Sequence, residues 1–222
     1  MGSVDSRPLR KDAERNLRRI LDAAKEVFAT RGLAVTMDDV AHHAGVGVGT
    51  VYRRFANKEE LIDALFEDSI TQLARIAAEC AERDDPWVGL VEFMERSIEL
   101  QARDRGLKEL LFDTAHGQQR VARARDLMKP VVTELVERAR AAGALRPEVD
   151  GPDVPVLQLM LGTVVDFARA VEPELHRRYL ALVLDGLRAR PDQPPLPLAP
   201  LDEAQLDAAM GGWKGAHPSA QR

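Results

Sequence analysis

The sequence has little cysteine and no long uncharged apolar run, and each shortage excludes a class of protein. Cys80 is the one cysteine in 222 residues, so neither an intramolecular disulfide nor a cysteine-based metal cluster can form. The longest uncharged apolar stretch, residues 154–165, has 12 residues, whereas a membrane-spanning helix needs roughly 20. The N-terminus is polar where a signal peptide would be apolar. We therefore expect a cytoplasmic protein with no membrane partner.

The motifs of common enzyme classes are also missing. The chain contains no Gly-x-Ser-x-Gly elbow, no His-Glu-x-x-His and no Walker loop. The glycines of residues 45–49 follow a predicted helix rather than a strand, which is the wrong context for a dinucleotide-binding loop. His42 and His43 are adjacent, so on a helix they point about 100° apart and form no same-face metal pair. We predict that the protein is not an enzyme and has neither a metal nor a cofactor.

The spacing of apolar residues predicts helices along most of the chain. Hydrophobic residues make up 45% and charged residues 30%, which is typical of a globular protein with one large or two small domains. Apolar residues recur at intervals of three and four, and no segment shows convincing strand alternation. We predict an all-α protein with about nine helices, at residues 13–31, 36–44, 48–55, 57–80, from 87 onward, 107–115, 121–142, 154–170 and 174–189.

Five prolines between Pro191 and Pro200 end the predicted helical body near Arg190. The remaining residues, 191–222, are expected to be a mobile tail in which residues 201–210 form a brief helix.

Charge is unevenly distributed between the two ends of the chain. Residues 1–60 contain eleven Lys and Arg against nine Asp and Glu, a net charge of +2. The other 162 residues contain 20 against 27, a net charge of −7, which completes the total of −5. The N-terminal end is therefore the better candidate for a phosphate-bearing partner.

Two short helices joined by a glycine-containing turn, with a third helix before them, describe a helix-turn-helix whose second helix enters the DNA major groove. Thr36 with Asp39 predicts the start of the first short helix, and the glycines of residues 45–47 predict its end. The second short helix, 48–55, carries side chains suited to phosphates and bases, namely Thr50, Tyr52, Arg53 and Arg54. Gly49 lowers helix propensity there, which indicates a close approach by a backbone or phosphate.

Lys58 stands at the start of the next helix, which Asn57 caps, and there its ammonium group could bind a phosphate.

The segment TMDDVAHHAGVGVGTVYRRFANKEEL, residues 36–61, resembles the DNA-binding signature of the tetracycline-repressor (TetR) family of bacterial transcriptional regulators. The matching residues, in order, are Thr36, Ala44, Gly45, Val46, Gly49, Thr50, Tyr52, Phe55, Lys58 and Leu61. Gly47 departs from the pattern, because the family usually has Ser there. The resemblance covers about residues 13–65 and implies DNA contacts from Thr36, Gly47, Val48, Thr50, Tyr52, Arg53, Arg54 and Lys58.

The resemblance further implies a variable, all-helical C-terminal body that binds a small inducer and dimerises through its last two helices. The expected organisation is a flexible arm at 1–12, a helix-turn-helix domain at 13–60, a ligand-binding and dimerisation domain at 61–190, and the tail at 191–222. A two-fold dimer places its recognition helices about 34–36 Å apart and so predicts a near-palindromic operator.

Residues 154–165 support a dimer independently, because a helix that is apolar all round must be covered by its own core and by a partner. The expected interface residues are Val156, Leu159, Met160, Val164, Leu180, Val183, Leu184 and Leu187. The candidate inducer site is mainly apolar, with Trp87, Phe93, Met94, Phe112, Met128, Met160 and Phe167 as lining residues and His116, Gln158, Thr163 and Asp166 as polar anchors. Taken singly, each of the apolar residues is more often part of a core than a ligand contact.

The sequence thus favours a homodimeric repressor that leaves its double-stranded DNA operator when a small, mainly apolar inducer binds. One alternative is an activator or global regulator that needs no inducer. Another is a ligand-binding or protein-interaction module whose helix-turn-helix no longer reads DNA.

Overall fold

The computed structural model describes residues 7–31, 35–103 and 118–212, and within these ranges the chain forms nine helices. They are α1 (Arg7–Arg31), α2 (Met37–Ala44), α3 (Val48–Arg54), α4 (Lys58–Ala81), α5 (Pro86–Arg103), α6 (Gln118–Ala141), α7 (Asp153–Ala168), α8 (Leu175–Leu187) and α9 (Glu203–Gly212). The described residues contain no β-strand, only an isolated bridge between Leu145 and Arg188. The predicted all-α class is confirmed.

Local sequence signals explain where the helices begin and end. Gly45 after α2 and Gly143 after α6 have φ of 62° and 67°, the left-handed conformation that glycine adopts at little cost. At the start of α5, the Asp85 carboxylate accepts a hydrogen bond from the Trp87 N–H at 2.8 Å. α1 begins at Arg7 instead of residue 13, because the polar residues before the apolar stripe are themselves good helix formers.

The predicted flexible arm therefore overlaps a helix at residues 7–12. The helix predicted at 107–115 lies outside the described residues.

The chain divides into two compact units, and the division falls within α4, between Ser69 and Ile70. The apolar stripe of α1 forms much of the first unit's core, as the spacing predicted, together with residues of α2, α3 and the start of α4. The buried residues include Ile20, Ala24, Val27, Phe28, Val40, Ala41, Val51, Phe55, Leu61 and Leu65. This division lies beyond the boundary predicted at residue 60, because the buried first turns of α4 belong to the first unit.

The second unit has a larger apolar core drawn from the C-terminal part of α4 and from α5 to α8. Its buried residues include Ile76, Leu90, Phe93, Met94, Ile98, Leu135, Val136, Leu161, Val165 and Leu180. Gly89 allows α5 to approach α4 closely, since a Cβ at this position would lie 2.5 Å from the Cys80 carbonyl oxygen. Burial of this many large apolar side chains is the main source of stability for such a unit.

The proline-rich segment after α8 contacts the second unit at several points. Arg146 Nη2 donates to the Pro194 carbonyl oxygen at 2.8 Å, and Lys129 Nζ lies 3.2 Å from Glu203 Oε1. Leu206, on α9, is only 5% exposed. The brief helix predicted at 201–210 corresponds to α9, whereas the mobility of this segment stays a prediction.

No helix in the described part of the chain has the length and apolar character that crossing a lipid bilayer requires.

Candidate nucleic-acid interface

The first helix of the predicted helix-turn-helix begins with a complete capping box. The Thr36 hydroxyl accepts a hydrogen bond from the Asp39 N–H at 3.2 Å, and the Thr36 N–H donates to Asp39 Oδ2 at 3.0 Å. The Thr36 hydroxyl also donates to Asp39 Oδ2 at 2.6 Å. These bonds to Thr36, with a smaller contribution from the Arg31 guanidinium, lower the pKa of Asp39 from 3.8 to about 2. Thr36 thus serves the helix start, and its predicted contact with DNA stays a prediction.

The turn between α2 and α3 is held by backbone and side-chain hydrogen bonds. Gly45 ends α2 in the left-handed conformation, with its N–H bonded to the carbonyl oxygens of Ala41 and His42. Arg19, on α1, donates from Nη2 to the Ala44 carbonyl oxygen at 3.0 Å. This contact satisfies one of the carbonyl groups that the end of a helix leaves without a partner. Arg19 therefore fixes the turn that sets the direction of α3.

Further polar contacts join the elements of the first unit. His43 Nε2 and Glu26 Oε2 are 2.7 Å apart and link α2 to α1. Lys25 Nζ lies 2.6 Å from Asp68 Oδ2, so α1 is also tied to α4. Each of these exposed pairs contributes little free energy by itself. Together they restrict how α1, α2 and α4 can rotate against one another.

α3 buries one side and exposes the other, which is the arrangement that a recognition helix requires. Val51 is fully buried and Phe55, directly after the helix, is buried as well. The apolar side chain of Val48 and the aromatic side chain of Tyr52 are exposed on the other side, and Tyr52 is 49% exposed. The exposed side of α3 also contains Gly49, Arg53 and Arg54.

Two features of this exposed side bear on how it would meet DNA. Arg53 Nη2 donates to Thr50 Oγ1 at 3.3 Å, so the guanidinium and the hydroxyl lie together. A Cβ added at Gly49 would have no described heavy atom within 4 Å apart from its chain neighbours and the backbone of its own helix. Packing within the described part of the chain therefore does not require glycine at this position. Gly49 lowers the stability of α3 relative to alanine, and no described contact compensates for it.

Gly47 occupies the N-cap position of α3 in an extended conformation, without a side-chain cap. This start is weaker than one capped by Ser, because glycine has no side-chain oxygen that could accept a hydrogen bond from the first turn.

The start of α4 lies beside this surface in the first unit. Asn57 Oδ1 accepts a hydrogen bond from the Glu60 N–H at 2.9 Å, and Glu60 Oε2 accepts one from the Ala56 N–H at 2.8 Å. The predicted cap at Asn57 is confirmed. Lys58 Nζ lies 5.9 Å from the centre of the Phe28 ring, a distance consistent with a cation–π contact. That contact orients Lys58, whose binding of phosphate stays a prediction.

The candidate ligand residues do not form one group in the structure. Phe93, Met94, Met128 and Gln158 are buried in the second unit, and Trp87 packs partly against its core beneath the Arg188 guanidinium. Met160, Thr163, Asp166 and Phe167 are exposed on α7, where the Thr163 hydroxyl donates to the Leu159 carbonyl oxygen of its own helix and Asp166 pairs with Arg169. Phe112 and His116 lie outside the described residues.

The candidate dimer residues also divide by burial. Leu180 is buried in the core of the second unit, and Leu184 and Leu187 pack against that core. Contacts within one chain therefore already cover much of these three side chains. Val156, Leu159, Val164 and Val183 are half-buried, and Met160 is exposed. Four further large side chains on or near α7 and α8 are exposed and were not among the predicted interface residues, namely Phe167, Val171, Tyr179 and Leu182.

Sequence reasoning missed Arg19, which contacts a turn 25 positions away and has no local pattern to mark it. It also missed the pairing of Gln101 with Gln158, which joins residues far apart in the chain. In the described ranges, no group of three or more His, Cys, Asp and Glu side chains is arranged to hold a metal ion.

A capped helix, a tight turn and an exposed basic second helix define a helix-turn-helix protein. The family model for "Bacterial regulatory proteins, tetR family" matches residues 20–65. A second model, "Transcriptional regulator SbtR-like, C-terminal domain", matches residues 85–189. The chain belongs to the TetR family of transcriptional regulators.

Curated relatives and solved structures agree with this assignment. The HTH-type transcriptional regulator TtgR of Pseudomonas putida is 30% identical over 159 residues, which cover 65% of this chain and 75% of TtgR. A TetR transcription regulatory protein from Mycobacterium vanbaalenii has a similar structure, with a TM-score of 0.62 and 32% identity over 82% of this chain and 100% of that one. SmeT, described as the repressor of the Stenotrophomonas maltophilia multidrug efflux pump SmeDEF, has a TM-score of 0.59 and 26% identity over 82% of this chain and 96% of its own.

Proposed function

We propose that this protein is a homodimeric transcriptional repressor that binds a near-palindromic operator and leaves it when a small inducer binds. The observation that carries the proposal is the exposed side of α3, where Tyr52, Arg53 and Arg54 surround a glycine that no described packing contact requires. Guanidinium groups hydrogen-bond to guanine edges and to phosphates, and glycine permits a close approach by the DNA backbone. Such a protein acts in the cytoplasm, where the bacterial chromosome lies.

Exposed apolar side chains on the second unit support the homodimer. Phe167 is 84% exposed and Leu182 is 58% exposed, and Met160, Val171 and Tyr179 are exposed as well. These side chains lie on or next to α7 and α8, two helices that pack against each other, and a contiguous exposed apolar patch marks an interaction site. A two-fold interface would cover them on both copies and place two recognition helices roughly 34–36 Å apart, one turn of DNA.

The relatives support repression as the direction of regulation. SmeT is named as a repressor, and its structure resembles this chain over most of its length. Release by an inducer requires that the inducer bind the DNA-free conformation more tightly, with a coupling of about 1–3 kcal/mol in typical allosteric proteins.

Fluorescence anisotropy with DNA fragments that flank the gene, compared with random DNA at about 150 mM salt, tests the proposal. We expect one fragment to bind about a thousandfold more tightly than random DNA. Sedimentation of that complex should show an even number of chains per operator. Equally weak binding to every sequence would favour a module that no longer reads DNA, and activation of a reporter in the presence of the protein would favour an activator.

A further inference from the structure

Positive charge in the first unit is concentrated in the first half of α1. Residues 7–19 contain six Lys and Arg against two Asp and Glu, a net charge of +4. Residues 20–69, which include α3, contain five against nine, a net charge of −4. Attraction between this unit and the phosphates of DNA therefore depends on the first half of α1.

The basic residues at the start of α1 do not favour the helix that contains them. Acidic side chains stabilise the first turn of a helix and basic ones the last, because the helix dipole is positive at its N-terminal end. The first turn of α1 contains no acidic residue but does contain Arg7 and Arg10. Farther along, Arg15, Arg18 and Arg19 are exposed, and Arg18 has neither an ion pair nor a hydrogen bond within the described residues. A partner of opposite charge outside the chain accounts for this arrangement.

Three contacts between α1 and the α2 region fix the direction in which this basic half extends. The pairs, in order along α1, are Arg31 with Asp39, Glu26 with His43, and Arg19 with Ala44. Partner numbers rise along α2 as positions fall along α1, so the two helices run antiparallel. α2 ends at Ala44, whereas α1 continues from Arg19 back to Arg7, about 18 Å at roughly 1.5 Å per residue. The first half of α1 therefore extends past the turn between α2 and α3.

This turn precedes the end of α3 that would meet DNA. The N-terminal residues of a recognition helix contact base edges, while a neighbouring helix crosses the phosphate backbone. α3 begins at Val48, shortly after Ala44, whose carbonyl oxygen accepts the hydrogen bond from Arg19. An extension of about 18 Å matches roughly five phosphates of one DNA strand, which are about 3.4 Å apart along the axis. The first half of α1 is thus long enough to follow the backbone beside the bases that α3 would read.

We propose that the first half of α1, residues 7–19, is a second DNA-binding element, which contacts phosphates beside the bases that α3 reads. This inference rests on the proposed function and adds a contact surface outside the helix-turn-helix. Arg15 and Arg18 supply exposed guanidinium groups, and Arg19 holds the turn by its hydrogen bond to Ala44. Because phosphate contacts carry no direct sequence information, this element raises the affinity for operator and random DNA alike.

An anionic membrane surface is the other partner that a basic amphipathic helix can fit. Such binding requires that the apolar side of the helix enter the lipid. The apolar side of α1 is instead buried in the core of the first unit, where Ile20 and Phe28 are 1% and 2% exposed. These observations favour DNA.

The variant Arg15→Gln/Arg18→Gln tests the inference on the full-length protein. Glutamine keeps the helix propensity of arginine and removes its charge. In anisotropy titrations over a range of salt concentrations, we expect the affinities for operator and random DNA to fall by a similar factor, about tenfold at about 150 mM salt. The slope of log K against log salt concentration should become shallower by about 1–2, because up to two phosphate contacts are lost.

The matched control is Arg75→Gln/Arg103→Gln, which removes the same charge from two exposed positions of the second unit. It should leave both affinities and the slope unchanged. An equal effect in the control would mean that overall charge acts at a distance, and would overturn the contact. An unchanged slope in the α1 variant would overturn it as well, and so would a loss confined to the operator, since phosphate contacts act on every sequence.

Far-UV circular dichroism and thermal unfolding show whether the α1 variant is folded. If it is not, Arg10→Gln/Lys11→Gln, in the first turns of α1, gives the same test with the same expected change in slope. Vesicles that contain phosphatidylglycerol provide the membrane comparison. Vesicle binding that disappears in the α1 variant while DNA affinity stays unchanged would overturn the inference in favour of a membrane partner.

The outcomes are separable from those of the proposed function. A protein that binds all DNA equally, with a shallower slope in the α1 variant, would keep α1 as a DNA-binding element and remove specific repression. A protein that binds its operator specifically, with the same slope in both forms, would keep the helix-turn-helix and remove the role of α1.

Discussion

Individual side chains on α3 differ in what the structure allows them to do. Arg53 is joined to Thr50 by a hydrogen bond, whereas no partner is described for the Arg54 guanidinium. A guanidinium held at one position on an exposed surface can bind a base edge with less loss of conformational freedom. We therefore propose Arg53 as the side chain that reads bases, a choice that the sequence left open between the two arginines.

Arg53→Ala should weaken binding to the operator by about 1–3 kcal/mol and relax specificity at one base position. The reason is the loss of a guanidinium donor pair to a base edge. Anisotropy titrations with the operator and with single-base variants measure both effects. Arg75→Ala, at an exposed arginine of α4, is the control and should leave operator binding unchanged. An equal loss on operator and random DNA would assign Arg53 to phosphate contact.

The variant Gly49→Ala should change the stability of the fold and the affinity for DNA in opposite directions. No described group obstructs a methyl at this position, so the variant should be about 0.5–1 kcal/mol more stable in thermal or chemical unfolding. If a DNA backbone approaches Gly49 closely, the same methyl should weaken binding to operator and random DNA alike. A stabilised variant with unchanged DNA affinity would show that no close approach occurs there.

At the scale of helices, most of the fold could be predicted because its signals are local. The helix ends were marked by Thr36 with Asp39, by the glycines of residues 45–47 and by Asn57. The structure confirms the capping hydrogen bonds of Thr36 and Asn57 and the left-handed backbone of Gly45. Arg19 escaped prediction because its partner lies 25 positions away in the chain. The exposure of Phe167 could not be predicted either, because an apolar residue on a helix is consistent with a core position, a ligand contact or an interface.

The capping box of α2 should give the first unit a specific dependence on pH. The folded pKa of Asp39, about 2, lies below its ordinary value of 3.8, so ionised Asp39 stabilises the fold above about pH 4. This stabilisation is lost as the pH falls from about 4 toward 2. Asp39→Asn removes the ionisable group, so the stability difference between the natural protein and this variant should shrink over that range. Urea unfolding at a series of pH values measures it, and a difference independent of pH would contradict the assignment.

The whole molecule combines two recognised units with a C-terminal segment that lies beyond both matched family models, the second of which ends at residue 189. The prolines of this segment predict a mobile tail, because proline cannot continue a helix. The structure shows contacts that proline content does not reveal, because Arg146, itself buried, uses the Pro194 carbonyl oxygen and Leu206 is buried on α9. These contacts hold the segment against the rest of the second unit, whereas its prolines predict a mobile tail.

Two leucines of this segment provide a matched test. Leu206 is 5% exposed and Leu198 is 81% exposed, so the same truncation to alanine removes buried surface at one position and solvated surface at the other. If the segment stays docked, Leu206→Ala should lower the free energy of unfolding by about 2–3 kcal/mol, while Leu198→Ala should change it by less than about 0.5 kcal/mol. Chemical denaturation of both variants gives the comparison. Equal, negligible effects would mean that the segment is mobile, as its proline content predicted, and that the second unit is complete without it.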